Sequence, residues 1–204
     1  MWDSQSGPAR KEKIMTVQLG NGITLEGYDV RKTQDVASLK AMYTDYLLEE
    51  YERIKELAFG NPVANYLATM FIQANGENVG FLSLDPGNHA VEVIYVKPDF
   101  RRRGLAVLAL QETNRSCPVT LSLKTPLSPG GEALADRLGL DRADNFPDEE
   151  VSNQKALQTI AESVRAACQH KRRSGDPRQL CPRCYRAGLR RYANRVIDRH
   201  LSGA

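Results

Sequence analysis

The chain has 204 residues, of which 41% are hydrophobic and 26% charged, with a formal net charge of +3. That is room for one full domain plus a small appendage, in the composition of a soluble globular protein. No apolar run is long enough to cross a bilayer, and the N-terminal M-W-D-S-Q-S-G-P-A-R-K-E-K lacks the apolar centre of a signal peptide, so a cytoplasmic protein without a membrane partner is expected.

Residues 1–14 read as a flexible arm, because Gly, Pro, Ser and charges dominate and nothing periodic appears. Ile23–Val30 alternates like a strand. Thr33 or Asp35 can cap a following helix that carries Val36, Leu39, Met42, Tyr43, Tyr46 and Leu47 at helical spacing, and Gly60-Asn61-Pro62 closes the region. Strands are expected at Tyr66–Ala74 and Val79–Leu84, joined through Asn75-Gly76, a hairpin signal. A further strand at Ala90–Val96 stops at Pro98, which has no N–H to donate. Arg101-Arg102-Arg103-Gly104 then turns into the apolar run Leu105–Leu110, a helix reaching about Arg115. A strand at Val119–Leu123 and a short helix at Gly131–Leu138, closed by Gly139, complete this part.

A strand that breaks into a glycine-bearing turn and then a helix leaves backbone N–H groups pointing out of the helix N-terminus, a site suited to phosphate. The bland alternative is a surface turn with solvated arginines. Arg101-Arg102-Arg103-Gly104-Leu105-Ala106, with Val96-x-Pro98 ahead of it, resembles the R/Q-x-x-G-x-G/A signature of the GCN5-related N-acetyltransferases (GNAT). The resemblance covers roughly Ile23 to Leu140. It implies an α/β fold with a mixed, mostly antiparallel sheet flanked by helices, splayed at its central strand, in a domain spanning residues 15–143.

The resemblance further implies acetyl-CoA, or another acyl-CoA, as cofactor. Backbone groups of Ile94, Tyr95 and Val96 would pair with the pantetheine arm, and the turn from Arg101, Arg102, Arg103 and Gly104 through Leu105, Ala106 and Val107 would cradle the pyrophosphate. The acceptor would be a primary amine. Family enzymes commonly place a glutamate on the central strand as base, and Glu92, two residues before Ile94 and so expected on the same face, is the best-placed carboxylate. Its alternative role is a solvated or ion-paired strand residue. The family's L-Y-x-x-L-G-F pattern aligns with Leu134-Ala135-Asp136-Arg137-Leu138-Gly139-Leu140, so Ala135 stands where a tyrosine usually protonates the departing thiolate. Ser128, Thr125, Tyr43 or Tyr46 could replace it, or the reaction needs no acid. Without any such acid, the competing reading is a non-catalytic acyl-CoA-binding or nucleic-acid-binding protein on a degenerate acetyltransferase fold. The two strands that close the family's sheet are not evident, because Asp141–Glu150 is polar and short.

Residues 144–150 read as a linker to a basic helical module over 151–204. From Arg165 to Ala204 there are 11 Lys and Arg against 2 acidic residues, while the remainder of the chain is acidic. An amphipathic helix marked by Leu157, Ile160, Val164 and Ala167, a polar loop at Lys171–Gln179, and a last helix over Cys184–Leu201 are expected. Cys168-x-His170 and Cys181-Pro182-Arg183-Cys184 supply two short pairs bridged by a loop, as a structural zinc site requires. The alternative is a buried Cys168 with Cys181 and Cys184 free, and His200 is another candidate ligand. Arg191, Arg195 and Arg199 recur every four residues and share a helix face, which suits nucleic-acid phosphates, plain solvation, or docking on the acidic part of the chain.

Overall fold

The computed structural model describes residues 16–54, 59–143, 158–159, 161–162, 168, 170 and 180–203. The expected arm at 1–14 and linker at 144–150 lie outside the described residues. So do most of the expected Leu157–Ala167 helix and the Lys171–Gln179 loop.

Seven strands form one sheet in the order β1-β2-β3-β4-β5-β6-β7. The first five are β1 (Thr16–Gly20), β2 (Ile23–Gly27), β3 (Ala68–Ala74), β4 (Glu77–Asp85) and β5 (Ala90–Val96), each antiparallel to its neighbour. β6 (Ser122–Lys124) and β7 (Asp141–Ala143) are short and parallel to β5 and to each other. This is the expected α/β architecture, with a mostly antiparallel sheet. β1 was not expected. It pairs with β2 through a turn in which Asn21 and Gly22 take φ of 53° and 72°. The cue was present as Asn-Gly after the alternation Thr16-Val17-Gln18-Leu19. Of the closing strands, β7 exists despite its polarity: its residues are largely exposed, and backbone pairing with β6 rather than apolar burial fixes it.

Helix α1 (Thr33–Ile54) lies on one sheet face, and α2 (Leu105–Arg115) and α3 (Pro129–Leu138) lie on the other. Leu39, Met42, Tyr43 and Leu47 recur three or four residues apart, so one stripe of α1 packs on Phe71, Phe81, Val93 and Tyr95 of the sheet. The C-terminal helix, α4 (Tyr185–Gly203), joins that same apolar cluster through Leu189, Tyr192, Ala193 and Ile197. Burying a large apolar side chain is worth roughly 1.5–3 kcal/mol. Leu189, Tyr192 and Ile197 together therefore hold α4 on α1 strongly, and a chain cut before α4 would leave the apolar stripe of α1 partly uncovered.

Candidate active site and metal centre

The sheet parts at its centre. β5 pairs with β6 only at Ala90↔Ser122 and Val91↔Leu123, so among the described residues no strand pairs with Glu92–Val96 on that side. On the other side, the bond from Lys97 N–H to the Val79 carbonyl fixes the ladder with β4. Because hydrogen-bonded and non-hydrogen-bonded pairs alternate, Phe81↔Tyr95 exchanges both backbone bonds, whereas the backbone groups of Ile94 and Val96 point into the gap. This corrects the expectation for Tyr95, whose backbone is committed to β4. Val96 is partly engaged as well: its carbonyl accepts from Arg101 Nε at 2.7 Å.

A bulge sits at the closed end of the gap. Ser83 pairs with Val93 and Leu84 with Val91, leaving Glu92 as the extra residue. The alternation therefore slips, and Glu92 does not share a face with Ile94 as expected. Its side chain turns to the α1 side, where Oε1 accepts the Asn61 N–H at 3.0 Å and Oε2 meets Lys124 Nζ at 2.6 Å. The pair is nearly sealed, at 5% side-chain exposure for Glu92 and 10% for Lys124. Gly60 is required beside it: a Cβ there would lie 2.4 Å from the Glu92 carbonyl oxygen. Sequence reasoning singled out Glu92 but not Lys124 or the Gly60-Asn61 backbone, since nothing local links residues 32 apart.

At the open end of the gap the chain makes a single 3-10 turn (Pro98–Phe100) and enters α2 through Gly104, whose φ is +77°. Among the described residues no side chain caps α2, in contrast to α3, where Ser128 Oγ accepts the Gly131 N–H at 3.1 Å. The first-turn N–H groups of α2, on Leu105, Ala106 and Val107, thus face outward without an intrahelical partner. A Cβ on Gly104 would meet nothing within 4 Å, so the space over this turn is open. The three arginines divide their tasks. Arg101 folds back to pair with Glu49 of α1 at 2.6 Å and lies 5.5 Å over the Tyr95 ring. Arg103 stacks over Phe100 and donates to the Asp99 carbonyl at 2.8 Å. Arg102, at φ +60°, stands exposed at the mouth. An uncapped, positively fielded N-terminus at the end of a slot lined by open backbone groups fits a ligand with a phosphate head and an amide-bearing tail.

The second constellation lies at the far end of α1. The ligating atoms of Cys168, His170, Cys181 and Cys184 all fall within 4.8 Å of one another. The three sulfurs sit 3.6, 3.7 and 3.4 Å from His170 Nδ1. Tetrahedral zinc with Zn–S near 2.3 Å and Zn–N near 2.0 Å requires about 3.6 Å along such an edge. The Cys184 and Tyr185 N–H groups both donate to the Cys181 carbonyl, forming the knuckle that leads into α4. The Arg183 backbone N–H, and then Cys168, draw the Cys181 thiol below its ordinary range. Burial, followed by the two neighbouring thiols, pushes Cys184 up to about 11. A cation bound among thiols crowded in this way would hold them deprotonated. His200 lies on α4 outside the cluster, and Cys117 is a lone thiol beside the α2–α3 face.

Arg191, Arg195 and Arg199 do share an exposed face of α4, where with Asn194, Asp198 and Ser202 they line a shallow depression. Asp198 interrupts the row and pairs with Lys40 of α1.

No curated protein sequence matches the chain. Among solved structures, a Salmonella typhimurium acetyl transferase that modifies the N-terminal serine of ribosomal protein L7/L12 superposes with a TM-score of 0.41 at 13% identity, covering 60% of this chain and 83% of its own. A ribosomal-protein-alanine N-acetyltransferase from Brucella melitensis gives 0.38 at 20% identity, covering 61% and 94%. Likeness at this level says nothing about a substrate. The family model is more direct: residues 34–115, from α1 through the gap to the last residue of α2, match the model of the acetyltransferase (GNAT) family.

Proposed function

We propose that the chain transfers an acyl group from an acyl-coenzyme A, acetyl-CoA in the first instance, to a primary amine. The observation that carries this reading is the alignment of the slot beside Glu92–Val96 with the uncapped N-terminus of α2 in a GNAT-family domain. The outward backbone groups of Ile94 and Val96 would hold the amide-bearing arm. The N–H groups of Gly104, Leu105, Ala106 and Val107, with Arg102 beside them, would hold the pyrophosphate. When bound, the cofactor supplies an acyl group activated as a thioester. Glu92, its side chain nearly sealed at the closed end, would accept the proton that the amine loses. Incubating the protein with radiolabelled acetyl-CoA and a desalted cell extract, then separating protein, nucleic acid and small molecules, tests the reading. Label should enter an amine-bearing fraction, and release of coenzyme A no faster than in buffer would overturn it.

Cys168, His170, Cys181 and Cys184 hold a structural zinc ion in this reading. The support is the close agreement of the three sulfur–nitrogen distances with a tetrahedral edge, from a Cys3His set that leaves no open position for chemistry. The exposed Arg191, Arg195 and Arg199 face would meet nucleic-acid phosphates. Its support is the four-residue spacing on a helix held firmly on α1.

A further inference from the structure

Two phenols of α1, expected as possible acids for the departing sulfur, both turn to a single glycine. Tyr43 Oη donates to the Gly60 carbonyl at 3.2 Å, and Tyr46 Oη accepts the Gly60 N–H at 3.2 Å. Three residues apart on one helix, their rings stack at 5.9 Å. Burial raises both phenols above their ordinary range, so each keeps its proton at neutral pH. The other expected acids are engaged as well: Thr125 Oγ1 donates to the Ala143 carbonyl, and Ser128 Oγ caps α3.

Gly60 lies directly against the bulge at Glu92, where a Cβ would come 3.1 Å from the Val93 side chain as well as 2.4 Å from the Glu92 carbonyl oxygen. The Gly60 carbonyl and the Asn61 N–H are the two ends of one peptide unit. Tyr43 holds the first end, and the second donates to Glu92 Oε1 at 3.0 Å. A hydroxyl, a peptide plane and a carboxylate thus run in series, and a donor on the carbonyl strengthens the N–H at the far end. The segment is fixed on both sides of that plane. Phe59 meets the Tyr46 ring edge-on at 6.5 Å, and the Pro62 carbonyl accepts from the Thr69 and Ser83 hydroxyls. Lys124 Nζ holds the other carboxylate oxygen at 2.6 Å, but on a flexible stem; the rigid partner of Glu92 is the Asn61 N–H.

We propose that Tyr43 and Tyr46 are positioning residues: they clamp Gly60 so that the Asn61 N–H fixes the Glu92 carboxylate in the orientation that accepts the amine's proton. The role rests on the acyl-coenzyme A reading above. Oε1 keeps a second lone pair beside the one that Asn61 occupies, so the clamp orients the carboxylate without filling it. In the reaction the proton leaves the amine nitrogen for Glu92 as the C–N bond forms. The C–S bond then breaks with its electron pair on sulfur, coenzyme A departs as the thiolate, and Glu92 releases the proton to solvent. Neither phenol gains or loses a proton.

The test follows labelled acetyl transfer from acetyl-CoA into the amine-bearing fraction of cell extract, in the native protein, Tyr43→Phe, Glu92→Gln and the double variant. Tyr43→Phe keeps the ring and removes only the hydroxyl. It should lower turnover at saturating acetyl-CoA by about tenfold or more, as a small displacement of a reacting group does, and leave the KM for acetyl-CoA unchanged. With Glu92→Gln already in place, the same substitution should change turnover by less than about twofold, because no base remains to be oriented. Should Tyr43→Phe fold poorly, Tyr46→Phe is measured in the same two backgrounds with the same expectation. An equal loss in both backgrounds overturns the clamp, since a general weakening of the fold would act regardless of Glu92. Unchanged turnover in a folded Tyr43→Phe, or a change confined to KM, overturns it too. Native protein that transfers no label, or Glu92→Gln with native turnover, is a different result: it overturns the reading on which the clamp rests, and the clamp with it.

Discussion

The backbone N–H of Leu180 donates to the Tyr51 hydroxyl at 3.1 Å, tying the residue before the Cys181 knuckle to the last turn of α1. The Tyr51 and Tyr185 rings stand 5.1 Å apart, and Tyr185 Oη donates to Glu52, which Arg186 also meets. The cysteine cluster is thus built onto α1, so the loss of a zinc ion held there would loosen the packing of α4. Purified protein should carry about one zinc per chain, and Cys181→Ser with Cys184→Ser should lose it. The melting temperature should fall by about 5–10 °C, as a few kcal/mol does in a chain of this size. Metal content by plasma mass spectrometry and a thermal melt check both.

The Glu92–Lys124 pair makes a stability prediction separate from any activity. Removing Lys124 strands the buried Glu92 carboxylate, so Lys124→Met should cost about 3–5 kcal/mol, and Glu92→Gln less. The double variant replaces both charges with neutral groups and should recover most of that loss. Denaturant melts of the three variants would show it, and additive losses would mean the two side chains are not coupled.

Alkaline pH should unfold the protein over a defined window. Burial first, then nearby Asp35, Asp198 and Asp29, pushes Tyr28 up to about 12. Burial likewise raises Tyr192 to about 12. Both folded values exceed the unfolded one near 10. Their contribution is therefore complete below pH 10 and is lost as pH rises through about 12. Tyrosinate absorbance and far-ultraviolet circular dichroism should change together in that window. Independent, early titration of the tyrosines would contradict the burial of Tyr28 and Tyr192.

The strand–turn–helix around Gly104, the α1 stripe and the Cys/His clustering were legible because each is a local pattern: alternation, a 3.6-residue period, or two short Cys/His pairs. What escaped was long-range. The bulge at Glu92 comes from how β4 and β5 register, and it reverses the face that simple alternation assigns. Tyr95 loses its expected backbone role for the same reason, since ladder phase is a property of two strands. Lys124 was invisible because its partner lies 32 residues away and its strand is only three residues long. β7 escaped because pairing, not hydrophobicity, holds it.

For the α4 arginines, binding to a mixed-sequence duplex should weaken steeply with salt, and Arg191→Gln with Arg195→Gln and Arg199→Gln should lower the log–log salt slope by up to about 3. Fluorescence anisotropy at several ionic strengths measures it. An unchanged slope would remove this face from the nucleic-acid reading and leave it solvated.

The central claim is that the gap between β5 and β6, entered over Gly104, holds an acyl-coenzyme A. Isothermal calorimetry of acetyl-CoA on the native chain and on Gly104→Val tests it most directly, with circular dichroism as the folding control. The left-handed backbone at Gly104 and the open space above it predict that a branched side chain both strains the turn and fills the approach to the α2 N–H groups. Binding by the native chain, with affinity reduced at least about tenfold in a folded Gly104→Val, is the expected result, a loss of about 1.4 kcal/mol or more. No binding by the native chain, or equal affinity in the folded variant, would contradict the account.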